Sequence, residues 1–210
     1  MTADLQGSLL DLGCDERPTL SSLAGLRRVE LTRGAWVDVL PGWLTGSDGL
    51  FTKLVESVPW RAERRQMYER VVDVPRLLSW YGEDDVLPDP VLTGARAALN
   101  RHYREELGEE FVTAGLCYYR DGRDSVAWHG DTIGRGRRED TMVAILSLGT
   151  PRKLMLRPRG GGDTRGFALG HGDLIVMGGS CQRTWEHAIP KTSRHIGPRI
   201  SVQFRPRGVA

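Results

Sequence analysis

From residue 111 onward the apolar positions fall into short runs punctuated by Gly and Pro: Phe111 to Tyr119, Ser125 to Trp128, Thr141 to Leu148, Lys153 to Arg157, Leu174 to Met177, Arg183 to His187 and Arg199 to Arg205. Many short runs at such spacing predict strands packed as a sandwich or barrel. Ahead of residue 111 the period becomes helical. Leu50, Phe51, Leu54, Val55 and Val58 predict a helix that Pro59 stops, and Leu92, Ala95, Leu99 and Tyr103 form one stripe of a second helix from Pro90 to Leu107. The first 35 residues carry little pattern and read as an irregular or short-strand lead-in. No repeat or low-complexity tract interrupts the chain, and Gly160-Gly161-Gly162 marks a loop. The expected fold class is mainly β with flanking helices (α+β).

The last run alternates cleanly. Ile200, Val202 and Phe204 belong to a packed face, and Arg199, Ser201, Gln203 and Arg205 to a polar one. Two inward arginines are costly unless an anion pairs with them. Their α-carbons lie roughly 20 Å apart at about 3.3 Å per residue, and long side chains leaning toward each other would grip the ends of a small dicarboxylate. A metal reading comes from His129-Gly130-Asp131, whose residues i and i+2 face the same way in a strand. With His187 arriving from another strand, two His and one carboxylate make the facial triad that holds non-haem Fe(II) and leaves positions open. His171-Gly172-Asp173 repeats the His-x-Asp pattern, but Gly-Asp directly before an apolar strand is ordinary turn chemistry. His129, Asp131 and His187 are therefore the expected ligands, with His171 a turn residue and His195 a surface one.

In these stretches the sequence resembles the AlkB-type Fe(II)/2-oxoglutarate dioxygenases. The matching segments run in order: Val74-Pro75-Arg76, Trp80-Tyr81-Gly82, Tyr119 to Asp131, Ser147-Leu148-Gly149, Gly172 to Gly179, Gln182 to His187, and Arg199 to Arg205. The resemblance implies a double-stranded β-helix, or jelly roll, backed by N-terminal helices. It implies one domain over residues 1–210, with an N-terminal extension and nucleotide-recognition region over 1–110 and a catalytic core over 111–207. Fe(II), 2-oxoglutarate and O2 would be the cofactors. Arg199 and Tyr119 would bind the distal carboxylate, with Arg205 near the metal and Cys117 and Ser201 beside the cosubstrate. The implied activity is oxidative dealkylation of alkylated bases in DNA or RNA, single-stranded or flipped out of a duplex. Trp80 and Tyr81 would stack on the extruded base, and Ile133 and Arg135 would line its approach; Trp128 and Trp185 read as packing that steadies the ligands.

Several positions depart from that family. Cys117 and Ser201 each stand where better-known members carry Asn, which removes two amides from the cosubstrate shell. Ile133 stands where those members have an acidic residue that accepts a hydrogen bond from the base, with Glu139 and Asp140 the acids of the same loop that could substitute. The Tyr-rich stretch usual after Tyr-Gly is replaced by Glu83 to Pro90. The family therefore foretells the oxidative chemistry better than the substrate. Two other readings stay open: a dioxygenase acting on modified RNA, a protein side chain or a small molecule, and a nucleic-acid-binding jelly roll without catalysis.

Composition narrows the class further. At 210 residues the chain suits one sizeable core, and no apolar run approaches the ~20 residues that span a bilayer. The expected protein is a cytoplasmic monomer without a signal peptide or membrane partner. Cys14, Cys117 and Cys181 follow neither a zinc nor a disulfide spacing. The net charge of +2 hides an asymmetry, because eleven of the 29 Lys and Arg but only three of the 27 acids lie after residue 149. Arg135, Arg137 and Arg138, with Arg152, Lys153, Arg157, Arg159 and Arg165, are the expected phosphate-facing residues.

Overall fold

The computed structural model describes residues 17–67 and 70–209, and of residues 65–67 and 70–73 the backbone alone. Cys14 and the first part of the lead-in lie outside the described residues. Along the chain the elements are β1 (Thr19–Leu20), β2 (Arg27–Glu30), β3 (Ala35–Leu40), β4 (Leu44–Thr45), α1 (Asp48–Ser57), β5 (Arg61–Met67), β6 (Arg70–Tyr81) and α2 (Pro90–Leu107). They continue with β7 (Phe111–Tyr119), β8 (Val126–His129), β9 (Val143–Gly149), β10 (Arg152–Pro158), β11 (Arg165–Leu169), β12 (Asp173–Gly179), α3 (Cys181–Thr184), β13 (Trp185–Ile189) and β14 (Arg199–Pro206).

Two sheets face each other. The major sheet has the order β2-β3-β12-β9-β14-β7-β6-β5 and the minor sheet β11-β10-β13-β8, with neighbouring strands antiparallel throughout. This is the layered arrangement of a jelly roll. Strand alternation splits the core in two. Ile200, Val202 and Phe204 of β14 point outward, with Leu116, Ala144 and Leu146, into the cluster that α1 and α2 cover. Ile145, Ile175 and Met177 point inward, toward Leu154, Leu156, Trp185 and Ile189 of the minor sheet.

The helix α2 shows how local chemistry fixes an element that backs the site. The Asp89 side chain accepts from the Val91 N–H at 2.9 Å, Pro90 occupies the first turn where no N–H is needed, and Gly108 closes the helix with φ 70°. Leu92, Ala95, Leu99 and Tyr103 are all buried. Each buried leucine contributes about 1.5–3 kcal/mol, so this stripe fastens the helix against the outer face of the major sheet.

Residues ahead of 111 contribute strands as well as helices. β2 and β3 extend one edge of the major sheet, and the β5–β6 hairpin the other. The hairpin escaped the periodicity reading for physical reasons. Its strands carry Arg61, Arg64, Arg65, Arg70 and Arg76 with Glu63 and Asp73, and Pro75, which argues against a central strand, falls at the break in the β5–β6 ladder between Asp73 and Leu77. Arg183 and Thr184, expected in a strand, instead lie in the single turn of α3, where the Thr184 hydroxyl donates to the Ser180 carbonyl at 2.9 Å.

Candidate active site

The site lies between the sheets, where β8 and β13 meet. His129 ends β8 and is registered directly against His187 on β13, so both imidazoles emerge on the same inner face, with ring centroids 4.2 Å apart. The chain then turns through Gly130, and a Cβ there would come within 2.4 Å of the Gln182 carbonyl oxygen. Only glycine allows this approach, which places the Asp131 N–H on Gln182 Oε1 at 3.1 Å. Asp131 Oδ1 then lies 3.6 Å from His129 Nε2 and 3.8 Å from His187 Nε2. The three ligand atoms converge within 4.8 Å of one another.

Protonation suits this convergence. His129 Nδ1 lies 2.9 Å from the Ala127 carbonyl, which can only accept, so Nδ1 carries the proton and Nε2 presents its lone pair to the cluster. Burial and the neighbouring His129 push His187 down to about 3. His187 is therefore neutral and free to donate a lone pair. Burial alone would raise the Asp131 carboxyl, but Arg205, His187 and His129 outweigh it and hold it well below the usual carboxylate range. Arg205 Nε donates to Asp131 Oδ2 at 2.7 Å, which occupies one carboxylate oxygen and leaves Oδ1 toward the imidazoles. Such a set suits a first-row divalent metal with positions left for other ligands.

Beside the cluster, the inner face of the major sheet carries the residues expected for an anion. The register pairs Arg199 with Tyr119, Ser201 with Cys117, and Gln203 with Gly115. Arg199 is 1% exposed; its Nε donates to Ser147 Oγ at 3.0 Å, its guanidinium lies 5.3 Å from the Tyr119 ring centre, and its Nη1 has no partner among the described residues. Burial lowers the Arg199 pKa and raises that of Tyr119. A buried guanidinium with an unmatched N–H is costly until an anion accepts from it, so the residues fit a carboxylate-bearing cosubstrate.

Other cations cluster nearby. Arg152, expected to face phosphate, is instead buried beneath this floor, where it donates to the carbonyls of Asp124 at 3.0 Å and Pro190 at 2.7 Å. Arg76 donates to the Ser125 carbonyl at 3.2 Å and leaves Nε without a partner among the described residues.

The remaining sequence candidates separate. Trp80 is 53% exposed, stands opposite Gly115 and has the Arg205 guanidinium 6.0 Å from its ring centre. Tyr81, one residue on, faces the other way and packs against the outer core. Ile133 is 68% exposed. Arg135 is engaged by Glu109 at 2.6 Å and Glu139 at 3.0 Å, which fixes the loop rather than presenting a free cation. Asp140 is paired with Arg183 at 2.7 Å, and Arg157 with Glu186 at 2.9 Å. His171 accepts from the Gly149 N–H at 2.7 Å and lies 2.5 Å from Ser47 Oγ, a turn-stabilising role away from the cluster. Gln182, Arg76 and Gln203 carried no assigned role in the sequence; their signals were the ordered motifs Val74-Pro75-Arg76 and Gln182 to His187, and for Gln203 its place on the polar face of the last strand.

Residues 37–205 match the family described as the 2OG-Fe(II) oxygenase superfamily. The chain is 30% identical over 211 residues to alpha-ketoglutarate-dependent dioxygenase alkB homolog 3 of Bos taurus, a match that takes in 89% of this chain and 70% of that protein. It is 23% identical over 235 residues to DNA oxidative demethylase ALKBH2 of Arabidopsis thaliana, covering 94% of this chain and 74% of the relative. A solved 2OG-Fe(II) oxygenase family oxidoreductase from Burkholderia pseudomallei shares the fold at a TM-score of 0.58 and 12% identity, over 83% of this chain and 86% of that one.

Proposed function

We propose that this chain, which belongs to the 2OG-Fe(II) oxygenase superfamily and is of the AlkB type, removes alkyl groups oxidatively from nucleobases. Its cofactors are Fe(II), 2-oxoglutarate and O2. His129, Asp131 and His187 would hold the iron, and Arg199 with Tyr119 would receive the far carboxylate of 2-oxoglutarate. Once bound, these groups supply an oxidation in which 2-oxoglutarate becomes succinate and CO2 while an N-alkyl carbon is hydroxylated, and the product releases an aldehyde from the base.

The protein's own residues orient and protect. Arg205 holds Asp131 in place, and Tyr119 and Arg152 close the floor. Trp80 is the surface on which an extruded base would stack, a contact worth about 1–3 kcal/mol. Arg137 and Arg138, exposed on the loop after Ile133, are the cations best placed for a backbone phosphate. A cytoplasmic, monomeric protein is part of the same proposal.

The observation that carries this reading is the His129–Asp131–His187 cluster together with the buried Arg199 guanidinium, whose Nη1 has no partner among the described residues. It is tested by measuring succinate and formaldehyde with 1-methyladenine and 3-methylcytosine in single-stranded oligonucleotides. Release of both in equal amounts is expected; formaldehyde-free turnover on every alkylated DNA and RNA would overturn the nucleic-acid assignment. One observation favours the second reading, a dioxygenase for another substrate class: Ile133 offers no carboxylate, and Glu139 and Asp140 are engaged with arginines.

A further inference from the structure

Gln203 sits in the middle of the polar face of β14, between Arg199 and Arg205, and its register neighbour on β7 is Gly115. The missing side chain there leaves room that the Arg205 guanidinium uses, since a Cβ on Gly115 would come within 2.9 Å of Arg205 Nη1. The Gln203 carboxamide makes a separate contact from each end. Arginine only donates, so the atom facing it is the carbonyl: Arg205 Nη2 donates to Gln203 Oε1 at 2.5 Å. The same guanidinium donates through Nε to Asp131 Oδ2 at 2.7 Å. The other end, Nε2, donates to Ser201 Oγ at 3.1 Å and to Cys117 Sγ at 3.5 Å. Ser201 is registered against Ser147, whose hydroxyl receives Arg199 Nε.

We propose that Gln203 is the positioning residue that joins the metal end of this site to its cosubstrate end. Its carbonyl locks the fork of Arg205 on Asp131, and its amide hydrogens set the Ser201 and Cys117 side chains on the floor beside Arg199. A hydroxyl and a thiol each have one hydrogen and can turn it. Having accepted from Gln203, both direct their own hydrogens away from the amide, where they become donors to an anion. Among the uncharged side chains only a carboxamide accepts at one end and donates twice at the other, and Asn is one methylene shorter. Cys117 and Ser201 are also the two positions where the sequence lacks the amides of related chains, and a single amide from the neighbouring position on the strand serves both. The inference rests on the proposed placement of 2-oxoglutarate against Arg199.

The test uses full-length Gln203→Glu and Gln203→Leu. Glu keeps the acceptor for Arg205 but loses both amide donors, whereas Leu removes acceptor and donors together. Anaerobic titration with Fe(II) should show Gln203→Glu within twofold of the wild-type affinity and Gln203→Leu at least fivefold weaker. Calorimetric titration of the Fe(II)-loaded proteins with 2-oxoglutarate should show at least a tenfold loss in both variants. If Leu does not fold, judged by circular dichroism, Gln203→Met takes its place. Wild-type affinities in the apolar variant would reduce Gln203 to packing, and equal loss of iron in Glu and Leu would remove its link through Arg205; either overturns the proposal. A wild-type protein that binds Fe(II) but not 2-oxoglutarate would instead overturn the functional reading beneath it.

Discussion

Arg205 donates through Nε to Asp131 at 2.7 Å, and both side chains are buried. The pair joins the last strand to the loop after β8, so a residue 74 positions away in sequence determines which carboxylate oxygen faces the imidazoles. Removing one partner of a buried pair strands the other charge, at a cost of about 3–5 kcal/mol. Arg205→Leu should therefore destabilise the metal-free protein by an amount of that order. Excess Fe(II) should recover part of the loss by neutralising Asp131, and thermal midpoints with and without metal check both expectations.

His171 and His187 give the sharpest contrast. His187→Ala removes a member of the cluster and should abolish binding of one Fe(II) per chain, together with the visible charge-transfer band expected on adding 2-oxoglutarate. His171→Ala breaks the contacts to Gly149 and Ser47 and should lower stability while leaving the band intact. Loss of the band in the His171 variant would assign the metal to the other His-x-Asp.

The depressed pKa of His187 implies an acid sensitivity in the metal-free protein. With a folded value of about 3 against 6.5 unfolded, the unfolded chain binds the extra proton between those limits. Stability is therefore full above about pH 6.5 and falls as the pH drops toward 3, by up to about 1.4 kcal/mol per unit from this group. Urea unfolding across that window should show a shallower slope for His187→Asn than for wild type; parallel slopes would count against a neutral His187.

Arg199 should anchor the cosubstrate through a two-pronged contact that lysine cannot reproduce. Arg199→Lys is expected to raise the 2-oxoglutarate requirement at least tenfold, about 1.4 kcal/mol, with iron affinity nearly unchanged. Unaltered dependence on 2-oxoglutarate would place the anchor elsewhere, with Arg76 the next candidate because its Nε also has no partner among the described residues.

Substrate preference should respond to position 133. A hydrogen bond to a charged group is worth roughly 1.5–3 kcal/mol, and Ile133, which is exposed, offers none. Ile133→Asp or Ile133→Glu should raise turnover of 1-methyladenine and 3-methylcytosine relative to wild type. Activity on single strands should also fall with salt, and less steeply in an Arg137→Ala, Arg138→Ala double variant.

Sequence alone settled whatever depends on local period and short spacing. The α2 stripe from Leu92 to Tyr103, the alternation of β14, and the His129-Gly130-Asp131 triplet are each legible because their geometry repeats within a few residues. The ordered motifs extended that to the family and its cofactors. Tertiary structure decided what depends on register between distant strands. It set His187 directly against His129, separated exposed Trp80 from packed Tyr81, and engaged Arg135 with Glu109 and Glu139 where the charge count had offered a free cation. It also placed β5 and β6 at the sheet edge, a pairing hidden by their charged residues and Pro75. Register is a property of two strands at once, and an ion pair forms only where folding brings its partners into reach, so neither can be read from one segment of the chain.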